Sequence, residues 1–140
     1  MSTIQRSAAA QWHGRGTDGI GQLSTGSTVL QEARYSYRSR FAEGGMGTNP
    51  EELLAAAHAG CFAMKLAFNL QSAGFTADHI HAQCAVALHE GCIVSSHLTV
   101  DAAVPGLSAE QFQLLVDDAS QNCPVSKVLQ ATITYQAILA

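Results

Sequence analysis

The chain has 140 residues, 47% of them hydrophobic and only 13% charged, which is enough apolar material for one compact core. Seven Lys and Arg stand against eleven Asp and Glu for a formal net charge of −4; with no basic stripe, nucleic acid is not expected as a partner. The opening stretch MSTIQRSAAAQWHGRG lacks the apolar run of a secretory signal, so a single domain over residues 1–140 in the cytoplasm is expected.

Residues 7–14 and 20–41 read as strands broken by glycine turns. In ARYSYRSRF, Tyr35, Tyr37, Ser39 and Phe41 alternate with Ser36, Arg38 and Arg40. That period of two predicts a half-buried strand. AEGGMGTN, residues 42–49, then predicts a flexible loop.

Asn49 followed by Pro50 and Glu52 is a helix start, with the proline where its missing N–H costs nothing. The helix is expected to run to Ala73 and stop at Gly74. Its apolar stretch, LLAAAHAGCFAMKLAFNL, is long enough to suggest a membrane span, but Lys65 and His58 lie inside it. The expectation is a helix buried on most sides in protein, with part of its surface covered by a second copy of the chain.

Ile80, Ala82, Cys84, Val86 and Leu88 share one strand face, continued by Val94, Leu98 and Val100 beyond a turn at Glu90-Gly91-Cys92. That turn sets Leu88 against Val94 and Cys84 against Leu98. Ser108 with Gln111 caps a second helix whose apolar stripe is Phe112, Leu115, Val116 and Ala119, ending near Asn122. CPVSKVLQ predicts a short helical turn started by Pro124, and ATITYQAIL a last strand. The order β-β-β-α-β-β-α-β is α+β, with antiparallel sheets.

The four cysteines, Cys61, Cys84, Cys92 and Cys123, form no C-x-x-C pair, and in a reducing compartment they are expected to be free at rest. Cys84 on a core strand face and Cys92 beside a turn read as structural thiols. Cys61 in the long helix and Cys123 just past the second helix are the candidates for chemistry. The residues alone leave open whether those two act together. His58, at i−3 from Cys61, suggests a Cys–His hydrolase pair, but the third group and oxyanion hole of a hydrolase have no signature here. His79, His81 and His97 fall on the solvent face of the hairpin, with no further ligand at metal spacing.

GTNPEELLAAAHAGCF together with NCPVSKVL, the two cysteines 62 residues apart, resembles the OsmC/Ohr family of thiol-dependent hydroperoxide reductases. AQWHGRGTDGIGQLST and RSRFAEGGMGTNPEE are more similar to the OsmC branch. The resemblance implies an OsmC-like fold, a long central helix against sheets in an intertwined homodimer, and a peroxidase acting on organic hydroperoxides without a cofactor. It implies Cys61 as the peroxidatic and Cys123 as the resolving cysteine, closing a disulfide that an external dithiol, such as a lipoylated protein, reduces. It implies Glu51 as the acidic partner of an arginine, with Arg40 preferred over Arg15.

Such chemistry needs a thiolate, whereas a free thiol near pKa 8.5 is only a few per cent ionised at neutrality. An arginine beside the sulfur favours the thiolate, and a carboxylate fixes the guanidinium. Residues ten apart on a straight helix lie about 15 Å apart along its axis, so Glu51 reaches Cys61 only through the arginine or if the helix breaks near His58 and Gly60. Phe62, Met64, Met46 and Phe41 are candidates for an apolar wall favouring organic peroxides, with plain core packing the favoured reading for Phe62 and Met64 taken singly. The alternative function on the same fold is a non-enzymatic thiol sensor or small-ligand-binding dimer.

Overall fold

Ala8–His13 (β1) and Ile20–Thr25 (β2) pair antiparallel, from Ala8 opposite Thr25 to His13 opposite Ile20, and Ala33–Tyr35 (β3) joins the far side of β2. Trp12 and Tyr35 pack across this sheet with ring centroids 5.4 Å apart. Gly21 lies between them, and any side chain there would collide with both rings. The computed structural model describes residues 2–43 and 45–140. They divide into two compact units, Met1–Pro50 and Glu51–Ala140. Gly44, within the loop expected at 42–49, lies outside the described residues, as does Met1.

The strand expected over 33–41 ends at Tyr35. Ser36 is extended, and its hydroxyl accepts the Ser39 N–H at 3.2 Å while the Ser39 hydroxyl accepts the Ser36 N–H at 2.8 Å. This reciprocal cap starts a short helix, Tyr37–Phe41 (α1). A local pair of serines thus overrides a period-two pattern, and Arg40 stands on a helix instead of a strand. Ser39 also donates to the Thr48 carbonyl at 2.8 Å, and the Asn49 amide donates to the Ser39 carbonyl at 3.0 Å.

The second unit opens with the long helix, Pro50–Ser72 (α2). It ends as its sequence predicts. Phe75 N–H bonds to the Leu70 carbonyl at 2.8 Å and Gly74 N–H to that of Gln71 at 3.1 Å, with Gly74 left-handed at φ 89°. That is a Schellman stop. The helix is not buried on most sides, as expected, within one chain. It buries one stripe, Glu51, His58, Phe62, Leu66 and Leu70, while Met64 and Phe68 are 64% and 58% exposed. Six of the 18 other helix residues are alanine, which needs little cover from its own chain. Nor does α2 break: it is continuous through His58 and Gly60. Helical φ,ψ suit both residues there, and Gly60 faces open space.

His79–His89 (β4) and Cys92–Ala103 (β5) form the expected hairpin, with Cys84 opposite Leu98. The turn is tighter than expected. Glu90 (φ 50°) and Gly91 (φ 79°) make a two-residue loop, so His89 pairs with Cys92 and Leu88 with Ile93. A bulge beside Ala87/Leu88 restores the register and leaves Val94 43% exposed. Ala109–Asn122 (α3), capped by Ser108, and Pro124–Val128 (α4) then lead to Thr132–Leu139 (β6).

β6 lies parallel to β5, which corrects the expectation of antiparallel sheets throughout; the order is β4-β5-β6. The reason is the connection. Two helices between β5 and β6 carry the chain back to the starting end, as a crossover must before a parallel strand. Phe62, Leu66 and Leu70 of α2 pack with Leu98, Val100 and Ala102 of β5 and with Phe112, Val116 and Ala119 of α3.

Candidate active site

α2 is 23 residues long and apolar enough to cross a membrane by length and composition alone. Its buried stripe, however, carries a glutamate and a histidine, and the histidine is the key to what lies around Cys61. His58 is fully buried. Its Nδ1 lies 2.6 Å from Ser96 Oγ of β5, and its Nε2 lies 2.7 Å from Ser126 Oγ of α4. Both ring nitrogens are therefore satisfied without water, and burial lowers the pKa of the imidazole from its usual value.

The two hydroxyls pass the chain of hydrogen bonds on to two sulfurs. Ser126 Oγ is 3.0 Å from Cys123 Sγ, and Ser96 Oγ is 3.0 Å from Cys84 Sγ. Cys84 Sγ also stands 3.8 Å from His58 Nδ1. Among the described residues every buried side-chain nitrogen and oxygen has a partner.

Cys61, one turn after His58, has the Cys123 thiol and the Val125 backbone N–H as neighbours of its sulfur. Pro124 starts α4 directly after Cys123, which is why the Val125 N–H is left with no intrahelical carbonyl and is available to a sulfur. Burial, reinforced by the neighbouring Cys123, pushes the Cys61 thiol up, while the Val125 N–H pulls it down. Cys123 is fully buried, Cys61 half-buried, and all four cysteines are free. The two thiols, from the middle of α2 and the residue that precedes α4, are neighbours in the fold.

The other site candidates are placed as follows. Glu51 is buried in the first turn of α2. Ten residues along an unbroken helix separate it from Cys61, about 15 Å along the axis, so the two do not touch. Arg40 belongs to the first unit, where its guanidinium lies 5.0 Å from the centre of the Phe41 ring. It borders a hollow of about 250 Å³ lined by Trp12, Gly16, Tyr35, Ser36, Tyr37 and Phe41. Arg15, in the same unit, is exposed and 3.6 Å from Asp18. Phe62 is core, not wall, being fully buried.

Cys84 reads from sequence as a structural thiol and His58 as half of an unsupported hydrolase pair; the structure joins both to Cys123. Ser96 and Ser126 are missed by sequence reasoning. The available signal is a serine at a core register of β5, between Val94 and Leu98. On the hairpin's outer face His79 lies 3.2 Å from Asp101 and His97 2.6 Å from Thr134 Oγ1. Among the described residues no three His, Cys, Asp or Glu side chains stand together as a metal site.

The family model described as OsmC-like protein matches residues 42–137. The chain is 43% identical over 136 residues to Peroxiredoxin OsmC of Escherichia coli (strain K12), with 94% of each chain covered. It is 32% identical over 136 residues to the Organic hydroperoxide resistance protein of Xanthomonas axonopodis pv. citri, covering 91% of this chain and 92% of that one. Among solved structures, the organic hydroperoxide resistance protein OhrB of Bacillus subtilis matches with a TM-score of 0.64 at 26% identity, over 96% of this chain and 98% of the other.

Proposed function

The chain belongs to the OsmC-like protein family, and on that premise we propose that it is a thiol-dependent peroxidase that reduces organic hydroperoxides to alcohols. The observation that carries this reading is the placement of the Cys61 thiol beside that of Cys123. Cys61, as thiolate, attacks the terminal peroxide oxygen; the O–O bond breaks, an alcohol leaves, and the sulfur becomes a sulfenic acid. Cys123 displaces the hydroxyl from that sulfur, giving water and a Cys61–Cys123 disulfide. An external dithiol, a lipoylated protein or a small thiol, reduces the disulfide by exchange. No cofactor takes part.

Arg40 supplies the cation that favours the Cys61 thiolate and Glu51 the carboxylate that orients it. This assignment rests on the family motif, whose OsmC branch favours Arg40 over Arg15. Lowering a thiol pKa by two to three units corresponds to about 3–4 kcal/mol of thiolate preference. A second copy of the chain covers the exposed Met64 and Phe68 face of α2. The family match crosses the division at Pro50, and the relatives span nearly the whole chain; this supports one functional domain over 1–140. Four free thiols suit the cytoplasm as its compartment.

The test is turnover of cumene hydroperoxide with a dithiol. The wild-type protein is expected to cycle many times, which a stoichiometric sensor does not. Cys61→Ser abolishes consumption, and Cys123→Ser permits one oxidation of Cys61 without the disulfide. Undiminished turnover in Cys61→Ser would overturn the assignment.

A further inference from the structure

One proton arrangement satisfies the whole buried chain: Cys123 S–H to Ser126 Oγ, Ser126 O–H to His58 Nε2, His58 Nδ1–H to Ser96 Oγ, and Ser96 O–H to Cys84 Sγ, over contacts of 3.0, 2.7, 2.6 and 3.0 Å. In this tautomer every hydroxyl donates once and accepts once, and the only group in the chain able to take up a proton from Cys123 is the imidazole. The ring is fully buried from bulk solvent. Because it is held between hydroxyls from two different elements, β5 and α4, its orientation is fixed.

We propose that His58, acting through Ser126, is the proton acceptor that activates Cys123 for disulfide closure, with Ser96 and Cys84 as the anchor that holds its tautomer. The inference rests on the peroxidase reading above and concerns its second step. As Cys123 Sγ attacks the Cys61 sulfenic sulfur, its proton passes to Ser126 Oγ while the serine's own proton moves to His58 Nε2. The new S–S bond forms as the S–O bond breaks. The Cys123 sulfur is oxidised and the Cys61 sulfenic sulfur reduced. The departing hydroxide takes a proton from solvent to become water, and the imidazolium returns its proton through Ser126 to the Cys123 thiolate when the external dithiol reduces the disulfide. Ser126 touches the reacting sulfur. His58 acts through it and is a positioning residue.

The titratable groups that face His58 are thiols: Cys84 from β4 and, beyond Ser126, Cys123 at the end of α3. β5 and α4 present only hydroxyls to the ring, and Glu51 and Cys61 lie on its own helix. A neutral imidazole in such surroundings gives closure a distinctive pH profile. With the acceptor in place the closure rate is flat from the imidazole pKa up to the thiol pKa. Without it the rate follows the thiolate fraction and climbs about tenfold per pH unit over the same span.

The experiment mixes the reduced protein with one equivalent of cumene hydroperoxide, quenches at intervals into a sulfenic-acid trap, and counts trapped Cys61 and disulfide by intact mass, between about pH 5 and 9. His58→Gln and Ser126→Ala are compared with wild type, and His79→Asn, on the outer face, serves as control. Expected are a flat wild-type and control profile, and in both variants closure slowed by about 100-fold at neutral pH with a unit slope. Closure within twofold of wild type with the flat profile retained in Ser126→Ala overturns the inference. So does the same result in His58→Gln, and should that variant fail to fold, the smaller Ser126→Ala change carries the test. Absence of any trapped Cys61 or disulfide in the wild type defeats the peroxidase reading instead, so the two failures are distinct.

Discussion

Replacing His58 by leucine removes a ring of similar volume from a site with no solvent exposure and strips one hydrogen-bond partner from each of two buried hydroxyls, Ser96 and Ser126. Each hydroxyl keeps only a thiol neighbour at 3.0 Å, a weak partner. A buried polar group left without its partner costs about 1–3 kcal/mol, so the single substitution is expected to destabilise by about 2–5 kcal/mol. Ser96→Ala with Ser126→Ala strands His58 Nε2, leaves Nδ1 only the Cys84 thiol at 3.8 Å, and costs a similar amount. The triple variant strands nothing but two thiols, so its loss is expected to fall short of the sum by at least about 2 kcal/mol. Urea unfolding followed by circular dichroism, at one fixed protein concentration so that any subunit association is held constant, measures all four corners of the cycle. Additivity within about 0.5 kcal/mol would refute the claim that these three side chains satisfy one another.

The same histidine predicts a pH dependence of stability. Its folded pKa lies below the usual 6.5, so the unfolded chain takes up the proton first as pH falls. Stability is full above about 6.5 and declines from there down to the lower folded value, with a slope of at most about 1.4 kcal/mol per pH unit; His58→Leu flattens that part of the curve in chemical denaturation at stepped pH. On the outer face of α2, Phe68→Glu with Met64→Glu changes two exposed side chains and leaves the folded chain's core intact. If a second copy covers them, each normally contributes about 1.5–3 kcal/mol of burial, and light scattering should show dimer association weakened by at least about 100-fold. Two left-handed glycines are expected to separate by mechanism in thermal melts. Gly74→Ala, at φ 89° in open space, costs about 1 kcal/mol of backbone strain, whereas Gly47→Ala, at φ 111°, also drives its methyl into the Arg34 carbonyl and costs at least about 2–3 kcal/mol.

Where one local rule acts alone, the sequence is a sufficient guide. The Gly74 stop, the Ser108 cap, the Pro124 turn and the pairing of Cys84 with Leu98 follow from caps, periodicity and turn residues that each involve a few neighbours. Where two rules compete, it misleads: Ser36 and Ser39 close a helical turn on each other inside an alternating stretch, and the direction of β6 depends on the length of a crossover, which no residue in the strand encodes. The approach of Cys61 to Cys123 brings α2 to the turn between α3 and α4, 62 residues further along the chain, and has no local signature; only the paired motifs suggest it.

The relay is harder still, because each member looks ordinary by itself. His58 sits on a helix stripe with Phe62, Leu66 and Leu70, and Ser96 on a strand face with Leu98, Val100 and Ala102. Each is one polar interruption in an apolar series, and taken singly it reads as tolerance. Physical chemistry does not permit that reading for several at once. A buried imidazole needs a partner at both nitrogens and a buried hydroxyl needs one for its proton. A small core offers no water to supply them, so polar residues at core registers on α2, β5 and α4 must either meet or carry the cost separately. Treating such interruptions as a set with a shared hydrogen-bond requirement predicts that they converge. The point of convergence here is a sulfur, that of Cys123, already suspected on other grounds, which is why the same constraint that closes the core also orients a proton acceptor toward the thiol that needs one.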